Sequence, residues 1–112
     1  MSVDEKITKL VTAMVMCHED GDFARLTTLM DQQTLDDNAS FFTQEKFEEV
    51  CQKIHEQLGH FIQLEYIGFL DKQNSVHTLW KAKYSNTAED TLWQARINLA
   101  DRNPKIIRMS VN

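Results

Sequence analysis

The amino-acid sequence predicts an α+β domain in which three helices come first and a four-stranded antiparallel sheet follows. Apolar residues recur at intervals of three and four up to about residue 60 and at intervals of two after it, the periods of helix and strand. The strand-like segments are joined by short polar connections, which suit antiparallel neighbours. Because all helices precede all strands, we expect the helices to pack on one face of the sheet.

Capping residues mark the first two helices. Ser2 and Glu5 have the spacing of a capping box, and Gly21 is expected to end the first helix with a positive φ. Asp22 can cap a short second helix. The apolar face of the first helix is expected to consist of Ile7, Leu10, Val11, Met14 and His18.

A polar segment separates the second helix from the third. Residues 31–42 are rich in turn-forming residues, and we expect a loop there. Thr43 can cap the third helix, and Gly59 is expected to end it. The apolar stripe of this helix is formed by Phe47, Val50, Cys51, Ile54 and Leu58.

Alternation of apolar and polar residues predicts four strands in the rest of the chain. They are expected near 61–70, from Val76, from Thr91 and in a short segment after Pro104. Their short connections predict a meander in sequence order, forming a curved sheet. The face turned to the helices is expected to carry Trp80, Ala82, Trp93, Ala95, Ile97 and Met109.

The strand register is predicted from side-chain size. We expect Trp80 to lie opposite Ala95 on the neighbouring strand. Trp93 then lies opposite Ala82, so that each large side chain meets a small one. Strict alternation places Ile62 on the face turned to the helices. It assigns to the outer face Ile67, Phe69 and Ile106.

Composition is typical of a single globular domain, 1–112. The 112 residues are 42% hydrophobic. The 12 basic and 17 acidic residues give a net charge of −5, which argues against a nucleic-acid partner. Two cysteines do not indicate a disulfide framework. We expect no signal peptide, no membrane span and therefore a cytoplasmic location.

Two longer segments resemble a known superfamily. GDFARLTTLMD after an amphipathic helix, and FTQEKFEEVCQKIHEQLGHFIQLEYIGF, are similar to small bacterial domains of unknown function in the nuclear-transport-factor-2-like, or cystatin-like, superfamily. The resemblance implies a cone-shaped half-barrel with a cavity between helices and sheet. Members of the superfamily include isomerases, dehydratases, ligand-binding modules and transport adaptors, often as homodimers.

Candidate chemical groups are sparse. His55 and His60 lie five residues apart, one more than the spacing that shares a helix face, so we predict no metal site; no cofactor is predicted either. Three residues could reach a cavity between helices and sheet and are weak candidates for acid–base catalysis: His18, Asp31 and Tyr66. Each is also explained as an ordinary structural residue.

The aromatic and methionine side chains of the predicted interior have two possible roles. They either fill the core or line a pocket for a small apolar ligand. The residues concerned are Tyr66, Trp80, Trp93, Met109 and Met14.

The outer face of the predicted sheet mixes leucines with cations. Such a face is typical of an interface with apolar contacts and a charged rim. We expect Glu65 to pair with Lys81 and Arg96 to face Arg108. The predicted homodimer interface consists of Leu79, Lys81, Leu92, Arg96 and Arg108.

These observations favour a non-enzymatic binding or interaction module that homodimerises through its sheet. The alternative is a small-molecule enzyme, isomerase-like or hydrolase-like, that uses the cavity between helices and sheet. The two differ in whether the three acid–base candidates share one site.

Overall fold

The computed structural model describes residues 5–100 and 102–112. Four helices precede four strands, and the strands pair antiparallel in sequence order without closing into a barrel, which confirms the predicted fold class. The capping pair predicted at Ser2 lies outside the described residues. The elements are α1 (Glu5–Asp20), α2 (Phe23–Leu29), α3 (Gln32–Asp37), α4 (Gln44–Leu58), β1 (Phe61–Lys72), β2 (Ser75–Tyr84), β3 (Thr91–Asn98) and β4 (Lys105–Val111).

The predicted helix boundaries follow from capping contacts. The Asp22 carboxylate accepts a hydrogen bond from the backbone N–H of Arg25 at the start of α2. The Thr43 hydroxyl does the same for Lys46 at the start of α4. Gly21 follows α1 with a φ of 68°, as expected for a residue that ends a helix.

The structure contains one helix more than the three that were predicted. This helix, α3, lies in the segment that was predicted as a loop, so that prediction was wrong. The Asp31 side chain caps α3 by accepting a hydrogen bond from the backbone N–H of Thr34. Along the helix each glutamine side chain donates to the aspartate four residues on: Gln32 to Asp36 at 2.9 Å, and Gln33 to Asp37 at 2.8 Å. Polar residues at helical spacing therefore support one turn and a half of helix.

The register between β2 and β3 differs from the prediction by two residues. Trp80 lies opposite Trp93, not Ala95, and Ala82 lies opposite Thr91. Both tryptophans still face the helices, because a two-residue shift keeps every side chain on its face. Each indole N–H has a partner: Trp80 donates to the Thr78 hydroxyl, and Trp93 donates to the hydroxyl of Tyr84. In the observed register the two tryptophans lie opposite each other, and the indole N–H of each is hydrogen-bonded.

Three register irregularities change which residues face the core. They lie in β1 between Phe61 and Gln63 and between Tyr66 and Gly68, and in the β3–β4 pair between Arg96 and Ile97. An extra residue at each irregularity reverses the alternation that follows it. The predicted faces of three residues were therefore wrong: Ile62 is exposed, and Phe69 and Ile106 pack against the core. Ile67 lies at a bulge and is exposed, as expected for the outer face.

The molecule has two layers. Helices cover one face of the sheet, and the described Cα atoms extend over 37 × 34 × 18 Å, which leaves no room for a third layer. The core between the layers includes Val11, Met14 and Val15 of α1 against Trp80 and Trp93 of the sheet. Within the described residues no helix is long and apolar enough to cross a membrane.

Candidate functional site

A cleft opens between α4, the turn that precedes it and the end of β4. We call it the α4–β4 cleft; its volume is about 270 Å³. Phe41 and Phe42 stand on the side of the turn, and Trp93 forms part of the sheet side. The described residues that line it are His18, Phe41, Phe42, Lys46, Phe47, Val50, Trp93, Met109, Ser110 and Val111.

His18 is the titratable side chain buried beside this cleft. It lies in the last turn of α1 and is 5% exposed. Its ring meets the rings of Phe47 and Trp93 edge-on, with centroids 5.0 and 4.9 Å away. Burial lowers the pKa of His18 below its usual value, and the hydrogen bond to Met14 only partly opposes this. The ring is therefore neutral at neutral pH.

The neutral ring has a defined hydrogen-bonding pattern. Nδ1 lies 2.8 Å from the backbone carbonyl oxygen of Met14, which can only accept, so Nδ1 carries the proton and donates. Nε2 is then an acceptor. Within residues 5–100 and 102–112 no group hydrogen-bonds to Nε2 of His18.

The lowered pKa of His18 predicts a loss of stability in acid. The unfolded chain binds the proton more tightly, so stability is complete above about pH 6.5 and falls as pH decreases, by at most about 1.4 kcal/mol per pH unit. Urea unfolding of the wild type and of His18→Phe at about pH 7.5 and about pH 5 measures this. We expect the wild type to lose more stability than the variant between the two pH values. Equal losses would contradict a desolvated, neutral His18.

The other two acid–base candidates have contacts of their own. The Asp31 carboxylate caps α3 and also accepts a hydrogen bond from the Asn98 side chain at 3.1 Å. Tyr66 packs edge-on against Trp80, with ring centroids 5.2 Å apart. Within the described part of the chain, none of these contacts joins two of the candidates. These contacts give Asp31 the role of a helix cap and place Tyr66 in ring packing against the core.

The predicted pocket residues divide between the core and the cleft. Met14 and Trp80 are buried in the core, whereas Trp93 and Met109 line the cleft. The sequence did not single out Phe42 or Lys46 as cleft residues, because their approach to β4 depends on the path of the turn before α4. The adjacent phenylalanines 41 and 42, next to a predicted helix cap, were the available signal.

Both cysteines are buried and free. Burial is the main cause that raises the pKa of the Cys17 thiol above its usual value. It raises the pKa of Cys51 to about 11. Protonated thiols are poor nucleophiles, so the cysteines act as core residues.

The histidines flanking Gly59 meet at one carboxylate. Glu19 accepts a hydrogen bond from the Phe61 backbone N–H at 2.9 Å. His55 Nε2 and His60 Nδ1 lie 3.6 and 3.7 Å from the other oxygen of Glu19. Over the described ranges we find no group of three or more His, Cys, Asp or Glu placed to hold a metal ion. The contacts instead connect the end of α1 to the turn that starts β1.

The outer face of the sheet carries all five residues of the predicted dimer interface. We define this outer face by two half-buried leucines and their polar neighbours: Glu65, His77, Leu79, Lys81, Leu92, Gln94, Arg96 and Arg108. The predicted pair of Lys81 and Glu65 is present, with Nζ 3.2 Å from the carboxylate. The hydrogen bond that Lys81 donates to the Glu65 carboxylate raises the pKa of Lys81.

The basic end of the outer face lies across β3 and β4. Arg96 stands directly opposite Arg108, as predicted. Arg96 Nε donates to the hydroxyl of Ser75 at 3.1 Å, and Arg108 is exposed. Two neighbouring cations of this kind repel each other unless an acidic group approaches them.

Comparisons with known proteins inform only the fold. No protein-family model and no curated protein matches the chain. Among solved structures, the chain is similar to a SEC-C motif containing protein from Rhodopseudomonas palustris, with a TM-score of 0.58, 12% identity, and coverage of 90% of this chain and 74% of that one. It is also similar to Bd1075 from Bdellovibrio bacteriovorus, with a TM-score of 0.53 and 11% identity, over 96% of this chain and 40% of that one. At such identities a shared fold does not transfer a function.

Proposed function

We propose that the protein is a cytoplasmic, non-enzymatic interaction module of the nuclear-transport-factor-2-like kind that homodimerises through the outer face of its sheet. The observation that carries the proposal is the composition of that face. It is uncovered in a two-layer molecule, yet it places leucines at its centre and charges around them. Interfaces between proteins have this anatomy.

The leucines are neighbours across two strands. Leu79 lies opposite Gln94, and Leu92 lies opposite Lys81, so the two leucines are diagonal neighbours on β2 and β3. On β1 the residue opposite Leu79 is Gly68, which has no side chain to shield it. The centre of the outer face is therefore apolar and accessible to a flat partner surface.

The charges of the outer face suit a second copy. Glu65 lies at one corner, on β1, and Arg108 lies at the opposite corner, on β4. A twofold axis running diagonally across the face sets Glu65 of one protomer against Arg108 of the other, and the two sheets then cross at about 90°, a common packing of sheets. This arrangement also brings a carboxylate to the repelling pair of Arg96 and Arg108.

Leu92→Asp is expected to dissociate the dimer. A carboxylate at the centre of the interface would be buried without a partner, and we expect the dimer Kd to rise at least about tenfold, or ~1.4 kcal/mol. Sedimentation equilibrium measures the mass, which we expect to be twice 13.1 kDa for the wild type at concentrations near 100 μM, a range that detects even a weak dimer.

Leu99→Asp is the matched control for this experiment. Leu99 is a leucine at the surface like Leu92, but it is more exposed and lies in the connection between β3 and β4. We expect this variant to remain dimeric. A wild type that stays monomeric, or a dimer that both variants weaken equally, would rule out the outer face as the interface.

A further inference from the structure

We propose that the α4–β4 cleft binds a small, neutral or anionic aromatic molecule that carries a hydroxyl group, of the phenol class. The proposal does not depend on dimerisation, because the cleft is formed by one chain. Three properties of the cleft support it: the hydrogen-bond acceptor on His18, the aromatic walls, and the positive charge of Lys46 at the rim.

His18 supplies the acceptor. Its Nδ1 proton is committed to the carbonyl of Met14, so Nε2 offers a lone pair to any donor in the cleft. The side chain is 5% exposed and lines the cleft, and Nε2 has no partner within residues 5–100 and 102–112. Within the described residues the one fully buried polar side-chain atom without a hydrogen-bond partner is Nε2 of His55, so Nε2 of His18 keeps some accessible surface. A ligand hydroxyl in the cleft can therefore reach Nε2 of His18 and donate to it.

The walls favour a flat ring. Phe42, Phe47 and Trp93 contribute ring surfaces, and Met109 contributes an adaptable thioether chain. A cavity of about 150 Å³ suffices to hold benzene, so a cleft of about 270 Å³ accommodates one aromatic ring with a short substituent. A larger polycyclic ligand would extend into solvent.

Charge restricts the class further. Lys46 is the charged residue of the lining, and its Nζ lies 5.3 Å from the centroid of the Phe41 ring at the exposed rim. Among the described residues of the lining there is no carboxylate. A neutral phenol or one with an acidic substituent is therefore compatible with the rim, whereas an aromatic cation is repelled.

A comparison of phenol with fluorobenzene tests the proposal. The two molecules have nearly the same size, but only phenol can donate to Nε2, and an apolar cleft without an acceptor would prefer fluorobenzene. We expect phenol to shift the indole N–H resonance of Trp93 saturably in NMR titrations, with a Kd about 2- to 12-fold lower than that of fluorobenzene. Fluorobenzene binding as tightly as phenol, or no saturable shift with either probe, would overturn the proposal.

Two variants locate the binding. His18→Phe keeps an aromatic ring but removes the acceptor, so the preference for phenol should disappear while fluorobenzene still binds. Val50 lies partly exposed on α4 and lines the cleft. The larger side chain in Val50→Trp should fill the cleft and weaken the binding of both probes. Thermal unfolding confirms that each variant is folded before titration. A preference for phenol that survives His18→Phe, or binding unaffected by Val50→Trp, would assign the probe to another site.

Discussion

Trp80→Ala is expected to reduce the free energy of unfolding by about 3–5 kcal/mol, the largest effect of any single substitution considered for this protein. Trp80 is 2% exposed and stands opposite Trp93 at the centre of the sheet. Alanine would leave a cavity that its neighbours cannot close, and it would remove the indole donor to the Thr78 hydroxyl. Because small domains are stable by only about 5–15 kcal/mol, the variant should be close to unfolding.

Urea denaturation followed by far-ultraviolet circular dichroism measures this loss. Phe41→Ala is the control, because Phe41 is 70% exposed and its truncation should change stability by less than about 0.5 kcal/mol. Similar losses for the two variants would mean that Trp80 is not held between the helices and the sheet.

Gly59→Ala is expected to reduce stability by about 2–4 kcal/mol. Gly59 follows α4 with φ 85° and ψ −142°, a backbone conformation that is costly for any residue with a side chain. A Cβ atom there would also meet the Ser85 hydroxyl oxygen, which accepts a hydrogen bond from the His60 backbone N–H at 2.8 Å. The substitution therefore strains the turn and separates two segments that pack together.

Gly21→Ala is the matched control. Gly21 also has a positive φ, 68°, but a Cβ atom there would meet nothing within 4 Å. We expect a loss of only about 1–2 kcal/mol, the cost of the left-handed backbone alone. Chemical denaturation of both variants separates the two contributions, and a Gly59→Ala variant no less stable than Gly21→Ala would contradict the close approach to Ser85.

The sequence predicted those features of the fold that depend on neighbouring residues. Caps such as Asp22 and Thr43 act on the next turn of chain, and the change of hydrophobic period separates the helices from the strands. Which face of the sheet meets the helices was also predictable, since Trp80 and Trp93 lie on the apolar side of each alternating segment.

Pairing between distant segments was predictable only in part: the pairs of Glu65 with Lys81 and of Arg96 with Arg108 were predicted, but other features were not. The two-residue error at Trp80 leaves the pattern of faces unchanged, so the sequence pattern could not detect it. Bulges such as the one between Arg96 and Ile97 carry no pattern of their own, and they moved Ile106 into the core. The α4–β4 cleft combines His18 with residues of α4 and β4, and only the folded chain shows that they meet.

We expect a second copy of this chain to cover the outer face, and isotope-filtered NMR tests this expectation most directly. In an equimolar mixture of labelled and unlabelled protein, intermolecular nuclear Overhauser effects arise only between protomers. We predict that they involve the methyl groups of Leu79 and Leu92. Intermolecular contacts at Phe41 or Val50 in place of these, or no intermolecular contacts at all, would contradict the account.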